Sequence, residues 1–303
     1  MAASDLAQLA DVKLWLSGSS GITATDDALL ARLITDLSGA ICAYLGRPSL
    51  MPRTVTERYD GGGKRRLYLR QYPVLSIASL VVDGVAIPAA PTPGAGVSWP
   101  QSGYLLEPWD GTPPGGIQAI DCYGDWAFGG CNGFGRGRQN VIVTYTAGYQ
   151  VSAEAAAVPS APGPYTVSPR AGWGPWASDG GVTYADGTAL MLVTGAPAQG
   201  QYAVTLTNQP DAAPPSWSVV YTFAAADAGA AVLISYGFIP AAINNACIEW
   251  VAERYRYRTR IGQTAETVQG QQTTSYSLGG RRSAGMPDFI AASLDPYRAV
   301  VPI

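Results

Sequence analysis

The hydrophobic pattern of this 303-residue chain changes period twice, and that change limits the possible fold more than any single motif. Apolar residues recur at helical spacing in three segments, at about residues 5–17, 25–46 and 240–260. Between these segments lie short β-rich runs, separated by many of the 36 glycines and 23 prolines. The pattern predicts an α+β protein with a small helical core and β-hairpins.

Each predicted helix has recognisable ends. The segment DLAQLADVKLWL stops at Gly18, and the second helix runs from Thr25 to Gly46. Two aspartates in the first turn of the second helix complement the helix dipole. The third helix begins at Pro240, a residue suited to the first helical position.

The middle of the chain is predicted to be β-rich. The segment TVTERYDGGGKRRLYLRQYPV, residues 54–74, is interpreted as a strand, a glycine turn and a strand. Asp83 and Gly84 are typical of a tight hairpin. Residues 88–118 are expected to form a long loop edged by residues 104–106, and AEAAAVPSAPGP, residues 153–164, reads as a linker.

Residues 150–231 are predicted to form an inserted all-β domain that resembles a sandwich. The evidence is a near-repeat: VIVTYTAGY at 141–149 and VLISYGFIP at 232–240 both read as a β-rich run followed by tyrosine and glycine. Only the second run passes directly into a helix. We therefore predict one domain from residues 1–149 and 232–303, interrupted by the insert.

Histidine is absent from the chain. Its absence excludes Ser/His/Asp and Cys/His catalytic arrangements, zinc sites that use histidine, and a histidine proton shuttle. The net charge of −3 provides no overall field that would draw the chain onto nucleic acid or an anionic membrane. We expect no enzyme activity, no cofactor and no metal.

Two glycine-rich loops suggest phosphate sites but lack the required context. In YDGGGKRRL, residues 59–67, Lys64 is followed by arginines and a strand, whereas a P-loop needs Ser or Thr and then a helix. In GFGRGR, residues 133–138, the final glycine of a dinucleotide fingerprint is missing and a strand follows. The first is interpreted as a hairpin tip and the second as a loop.

A run of arginines alternates with other residues near the end of the third helix: Arg254, Arg256, Arg258 and Arg260. On a helix these residues form two i,i+4 pairs, whereas a strand would place all four on one face. The preceding periodicity favours the helix. Two interpretations stay open: cations at a solvated helix end, or a contact with an acidic partner or passing DNA, to which Arg281 and Arg282 would add.

A glycan-binding alternative would use the β-rich middle. Asp121 and Asp125 flank aromatic residues, but nothing in the sequence sets the carboxylate separation that glycoside hydrolysis needs. The stacking platforms in that alternative are five tryptophans: Trp99, Trp109, Trp126, Trp173 and Trp176. It leaves the long helices without a role.

The cysteines and the apolar runs indicate in which cellular compartment the protein is made. Cys122 and Cys131 bracket one loop and would pair only in an oxidising setting, whereas Cys42 and Cys247 lie on apolar helical faces. No signal-peptide pattern occurs, and no apolar run approaches the ~20 residues of a membrane span. We expect a protein that is made and kept in a soluble compartment and has no membrane partner.

Taken in order, five stretches resemble the head-tail connector family of long-tailed bacteriophages, also called adaptor or head-completion proteins. They are LADVKLWLSG, TDDALLARLITDLSGAICAYLGRP, RYDGGGKRRLYLRQYPVLSIASLVVDG, VTYTAGY and IPAAINNACIEWVAERYRYR, within residues 5–149 and 232–300. The chain departs from the family at the insert. The insert is similar to small β-domains of other phage structural proteins, on GVTYADGTALMLVTGAPAQGQYAV and VYTFAAADAGAAVLISY.

The resemblance implies a structural virion protein: a ring of about twelve copies beneath the portal that extends the DNA channel and provides a platform for the tail. Its partners would be the portal protein, neighbouring copies, a tail-side stopper or tail terminator protein, and genomic DNA contacted without sequence specificity. It would be made in the host cytoplasm and act in the virion neck. A tail-side stopper position is the alternative within the same assembly.

The C-terminal region is predicted to contact partners. Residues 262–285 are expected to form an extended arm or a mobile loop, and MPDFIAASLDPYR a short helix. We hypothesise that this last segment docks on the portal or on a neighbouring copy through four residues: Phe289, Ile290, Leu294 and Tyr297.

Overall fold

The computed structural model describes residues 5–17, 23–91, 102–108, 118–123, 133–170, 172–258, 261, 265–268, 272–275 and 286–299. The fold is mixed α+β, with 26% helix and 40% strand, which confirms the predicted class. The α-helices of the described residues are α1 (Leu9–Leu16), α2 (Asp27–Leu45), α3 (Ala241–Tyr257) and α4 (Asp288–Leu294). Short 3-10 turns cover Ala24–Asp26, Ala225–Asp227 and Asp295–Tyr297.

The strands of the described residues fall into five small sheets. They are β1 (Arg53–Gly61), β2 (Arg66–Tyr68), β3 (Val74–Val82), β4 (Val85–Ile87), β5 (Gly103–Glu107), β6 (Ala119–Tyr123), β7 (Gly137–Ala147), β8 (Gln150–Ala157), β9 (Thr166–Val167), β10 (Trp176–Tyr184), β11 (Met191–Leu192), β12 (Gln201–Gln209), β13 (Ser216–Phe223), β14 (Ala231–Phe238), β15 (Ala265–Val268) and β16 (Gln272–Ser275).

Residue contacts divide the chain into two compact units. Unit 1 comprises Met1–Pro48 with Val151–Arg298, and unit 2 comprises Ser49–Gln150 with Ala299–Ile303. Unit 1 therefore holds the four helices together with the predicted insert, and unit 2 holds β1–β7. This division differs from the predicted domain boundaries, which joined residues 49–149 to the helices; those boundaries stay a prediction.

The helices of unit 1 form as their apolar spacing predicts. In α2, Leu30, Ile34 and Ile41 are fully buried at helical spacing, and α2 packs against α3. Gly46 ends α2 in the left-handed conformation, with φ 66°, where glycine carries no Cβ penalty. α3 stops at Tyr257, one turn before the predicted end.

The helical segment Ala24–Leu45 is long and apolar enough to meet a membrane-span criterion, with a mean hydropathy of 1.5 over its most apolar window. This finding differs from the prediction that no apolar run approaches the length of a membrane span; Arg32 and Asp36 lie among the apolar residues of the segment. A core helix meets the same criterion, and the Leu30, Ile34 and Ile41 face is buried inside unit 1.

Strands β8–β14 form two facing sheets in unit 1, with orders β10-β14-β8 and β11-β12-β13-β9. Apolar residues of both sheets are buried between them, including Ile234 on β14 and Phe223 on β13. These two facing sheets, antiparallel except for the parallel β11–β12 pair, have the layered arrangement of a sandwich. The predicted linker is wrong over its first half, because β8 extends to Ala157 and pairs with β14.

The junction between β14 and α3 depends on a glycine. Gly174 has φ +151°, and a Cβ at this position would lie 1.9 Å from the carbonyl oxygen of Ile239. The Pro175 carbonyl accepts a hydrogen bond from the Ile239 N–H at 3.0 Å. The loop before β10 therefore lies directly against the start of α3, which only glycine permits.

Unit 2 contains the sheets β1-β7-β3-β4 and β2-β6-β5. Their buried residues form one core, which includes Tyr59, Leu80, Ile120 and Tyr145. The β3–β4 hairpin is confirmed, with positive φ angles at Asp83 and Gly84, as its turn requires.

The predicted hairpin across residues 61–63 is wrong. β1 pairs with β7, and β2 pairs with β6, so the two flanking strands belong to different sheets. The near-repeat also has a structural basis: β7 and β14 are each a central strand with neighbours on both sides. The alternation of apolar residues that the two segments share follows from their central place in a sheet.

The predicted long loop at 88–118 contains strand β5, which pairs with β6. Within the predicted arm, β15 and β16 pair as an antiparallel hairpin from Ala265↔Ser275 to Val268↔Gln272. The predicted terminal helix is present as α4 with the following 3-10 turn.

Candidate functional site

The arginine run lies on a helix, as predicted, up to Tyr257. Arg258 caps that helix and forms an ion pair with Asp26 at 2.9 Å. Its guanidinium also lies 4.0 Å above the ring of Tyr255 and donates to the Tyr255 hydroxyl at 2.7 Å. Arg258 therefore joins the end of α3 to the start of α2.

These contacts shift three pKa values in consistent directions. The hydrogen bond from Arg258 lowers the pKa of Asp26, and the same bond raises the pKa of Arg258. Burial, followed by the hydrogen bond to Asp26, raises the pKa of Tyr255. The cluster keeps its charges at any pH near neutrality.

Two further arginines of the prediction lie on α3, and three are not among the described residues. Arg254 and Arg256 occupy the last turn of α3, where cations complement the helix dipole. Arg256 is exposed and Arg254 is half-buried. Arg260, Arg281 and Arg282 lie outside the described residues.

The predicted docking residues of α4 divide into two groups. Ile290 and Leu294 are fully buried, on a helix that packs against α3 of the same chain. Both side chains therefore belong to the core of unit 1, and their assignment as partner contacts stays a prediction. Phe289 is 58% exposed, and Tyr297 is half-buried.

The segment after α4 is also fixed to unit 1. The Tyr44 hydroxyl donates to the Asp295 carboxylate at 2.6 Å, and Arg47 donates to the Tyr297 carbonyl at 3.4 Å. The Arg298 guanidinium lies 5.2 Å from the ring centre of Tyr44. Of the four predicted docking residues, only Phe289 presents a large apolar surface to solvent.

A junction that the sequence reading missed connects α1 to the insert. The Lys13 side chain is 7% exposed and pairs with Asp27 at 2.9 Å and Asp211 at 2.5 Å. Desolvation lowers the pKa of Lys13, but the hydrogen bonds to Asp211 and Asp27 outweigh it and the pKa is raised. The sequence held one signal for this junction: Lys13 is one of two lysines in the chain and stands at a helical position beside Val12, which is buried.

A second contact reinforces this junction. The Trp217 indole N–H donates to the Asp11 carboxylate at 3.1 Å. Burial raises the pKa of Asp11, and the Trp217 hydrogen bond opposes that shift. The β12–β13 hairpin is thus attached to α1 by one ion pair and one charge-assisted hydrogen bond.

Polar networks hold the two sheets of the insert together. Asp179 on β10 accepts hydrogen bonds from the hydroxyls of Tyr202, at 2.6 Å, and Tyr221, at 3.1 Å. Burial and Asp179 raise the pKa of both tyrosines, so both stay protonated donors. In the AAADAG turn, buried Asp227 accepts from the Tyr184 hydroxyl at 2.6 Å. These side chains therefore have structural roles within the insert.

The glycan-binding alternative finds limited support among the described residues. Trp176 donates to the Tyr221 hydroxyl at 3.0 Å, and Trp173 is 53% exposed. Asp121 is fully buried and pairs with Arg66 at 2.7 Å. Asp125, Trp99, Trp109 and Trp126 lie outside the described residues.

The described residues contain no group of three or more His, Cys, Asp or Glu side chains that could hold a metal ion. Cys42, Cys122 and Cys247 are free thiols, and Cys131 lies outside the described residues. Burial raises the pKa of Cys247 to about 12, so this thiol is not activated as a nucleophile.

Comparison with known proteins finds no family model that matches this chain and no match among curated proteins.

Proposed function

We propose that this chain is a head-tail adaptor of a long-tailed bacteriophage, a structural protein that forms a ring beneath the portal. In this role it extends the DNA channel and provides the platform for tail attachment in the virion neck. Its partners are the portal protein, neighbouring copies of the same chain and a tail-side stopper or terminator protein. The role requires no catalytic chemistry.

One observation carries the proposal. Three of the stretches that resemble the connector family form α1, α2 and α3, although residues 46–240 separate α2 from α3. The three helices pack against one another in unit 1. A resemblance spread over distant segments gains weight when those segments share one core.

The surface of unit 1 supports a role in assembly. Large apolar side chains are exposed on its helices, including Leu14 at 46%, Trp15 at 53% and Phe289 at 58%. An exposed tryptophan or phenylalanine on a rigid helix is a typical interface anchor. A subunit in a closed ring needs such surfaces for its neighbours and for the portal.

The test is electron microscopy, with mass determination, of the purified chain alone and mixed with the portal protein of the same virus. We expect a ring that appears or grows on the portal. A chain that ignores the portal but binds a tail-side protein would support the stopper position instead. A chain that binds neither would contradict both positions.

Matched variants make the test specific. Phe289→Ser should weaken ring formation on the portal without loss of helix content, because Phe289 is mostly exposed. Trp173→Ser changes a comparably exposed aromatic residue in the insert and should leave the ring intact. The same Trp173 variant should leave glycan-array binding unchanged, since the proposal requires no sugar contact.

A further inference from the structure

Two loops of unit 2, each too incomplete in sequence to be a phosphate site, lie side by side. The Gly63 N–H donates to the Phe134 carbonyl at 2.8 Å, and the Phe134 N–H donates to the Lys64 carbonyl at 2.9 Å. Phe134 is 2% exposed and anchors its loop in the core. The two loops thus present one surface, the basic tip, made of Lys64, Arg65, Arg66, Arg136 and Arg138.

The basic tip is held in a defined conformation. The Asn140 side chain accepts from the Gly61 N–H at 2.8 Å and donates to the Gly135 carbonyl at 3.0 Å. A Cβ on Gly61 would lie 1.7 Å from the Gly135 carbonyl oxygen, so the backbones touch closely. The cations therefore extend from a preorganised backbone.

The cationic side chains reach solvent. Residues 62–66 are all exposed, and so are Arg136 and Arg138. Arg136 lies across the neighbouring loop, because a Cβ on Gly63 would meet its Cγ and Nε at 3.2 Å. At Gly62, two residues before Lys64, a Cβ would meet nothing within 4 Å, so the backbone there is open to solvent.

Carboxylates neutralise the basic tip only in part. Buried Asp121 pairs with Arg66 at 2.7 Å and with Arg65 at 3.5 Å. Asp60 accepts the Gln139 N–H at 2.6 Å, and Asp83 accepts from the Asn140 side chain at 3.0 Å beside Gly135. Within the described residues, Lys64, Arg136 and Arg138 have no ion-pair partner, so the basic tip is positive in a chain of net charge −3.

The chemistry of the basic tip indicates an extended polyanion as its ligand. Arginine guanidinium groups bind phosphate oxygens in a bidentate manner, and exposed glycines allow close approach of a phosphodiester chain. The exposed run Gly-Gly-Lys-Arg-Arg carries no apolar side chain that would enter a lipid surface. We propose that the basic tip binds the phosphate backbone of double-stranded DNA without reading its sequence.

This proposal deepens the proposed function and rests on it for one point, the location of the basic tip along the DNA channel. The binding itself is a property of the chain. It supplies a contact that the net charge of the protein does not suggest, because phosphate contacts depend on local cations.

The test measures the affinity of the full chain for a fluorescent DNA duplex of about 30 base pairs by fluorescence anisotropy over a series of salt concentrations. The tip variant is Arg136→Gln/Arg138→Gln. The control is Arg32→Gln/Arg53→Gln, which has the same net charge. Arg53 begins β1, whereas Gly61, beside the basic tip, ends that strand.

If both tip arginines contact phosphates, the slope of log K against log salt should be smaller in magnitude by about 1.8 in the tip variant than in the unaltered chain. The affinity of the tip variant at ~0.1 M salt should be about 60-fold lower. The control variant keeps the slope of the unaltered chain. Lys64→Gln removes one cation from the basic tip and should reduce the magnitude of the slope by about 0.9.

Three results would overturn the proposal: no salt-dependent binding by the unaltered chain, equal loss in the tip and control variants, or tip-dependent binding to anionic phosphatidylglycerol vesicles without binding to DNA. The portal assay separates the two claims. Rings that form on the portal while the tip variant binds DNA normally would refute the tip assignment alone. Tip-dependent DNA binding without any ring would refute the adaptor function alone.

Discussion

The ion pairs of Lys13 predict an unequal response to substitution. Lys13 is buried, whereas its partners Asp27 and Asp211 are 24% and 63% exposed. In Asp27→Asn/Asp211→Asn the ammonium group loses both charged partners while it remains buried. In Lys13→Met a flexible apolar chain fills the space, and both carboxylates can turn to water.

The structure sets the size of this effect. Removing the partners of a deeply buried charge costs about 3–5 kcal/mol. The exposure of Asp211 places the ammonium group near the surface, where water offsets part of that cost. We therefore expect the double aspartate variant to lose about 2 kcal/mol, and Lys13→Met to stay within about 1 kcal/mol of the unaltered chain.

The assay is urea denaturation followed by circular dichroism at the helix band, which reports unit 1 because the helices of the described residues all belong to it. With an m-value of about 2 kcal/mol/M, the double aspartate variant should unfold at a midpoint about 1 M lower. Adding Lys13→Met to the double aspartate variant should restore most of the lost stability.

The reasoning is refuted if Lys13→Met costs as much as the double aspartate variant. That result would mean that a methionine cannot replace the charged Lys13 and its two partners at this buried position. It is also refuted if the triple variant is no more stable than the double variant.

Two further predictions concern backbone geometry and pH. Gly174→Ala should lower the free energy of unfolding by at least about 2 kcal/mol, because its Cβ would overlap a carbonyl oxygen. Gly39→Ala, where a Cβ meets nothing within 4 Å, should raise it by roughly 0.5–1 kcal/mol; urea midpoints in the opposite order would contradict this. The raised pKa of Lys13 means that its charge contributes stability below its ordinary value of 10.5, and that this contribution is lost as pH rises through the higher folded value. The stability difference between the unaltered chain and Lys13→Met should therefore stay constant from neutral pH to about pH 10 and then shift against the unaltered chain. A difference that changes between pH 7 and 9 would contradict the assignment.

Local patterns in the sequence were sufficient for several elements. The repeat of Leu30, Ile34 and Ile41 predicts α2 because a helix brings residues at this spacing to one face. Asp83 and Gly84 predict the β3–β4 hairpin because few residues adopt positive φ at low cost. Both signals act within a few residues.

Strand pairing was not predictable in the same way. The strands that flank residues 61–63 look like a hairpin, yet they join different sheets. The alanine-rich segment that forms β8 looks like a linker, and it is a strand because β14 offers it a free edge. Neither outcome depends on the local sequence alone.

The candidate sites show the same division. The apolar character of Ile290 and Leu294 was evident, but the sequence could not show that α3 of the same chain covers them. The basic tip was read as two unrelated loops, because residues 59–67 and 133–138 meet only through backbone hydrogen bonds in the folded chain.

The fold class, the positions of the main helices, the tight turn at Asp83 and Gly84, and the absence of histidine chemistry therefore follow from the sequence. Three features became visible in the folded chain: which strands pair, which apolar residues remain exposed, and which charges meet at Lys13 and at the basic tip. The physical reason is range. Backbone conformation and hydrophobic period are set by neighbours within a turn or two, whereas pairing and burial depend on which edges and surfaces the rest of the chain leaves open.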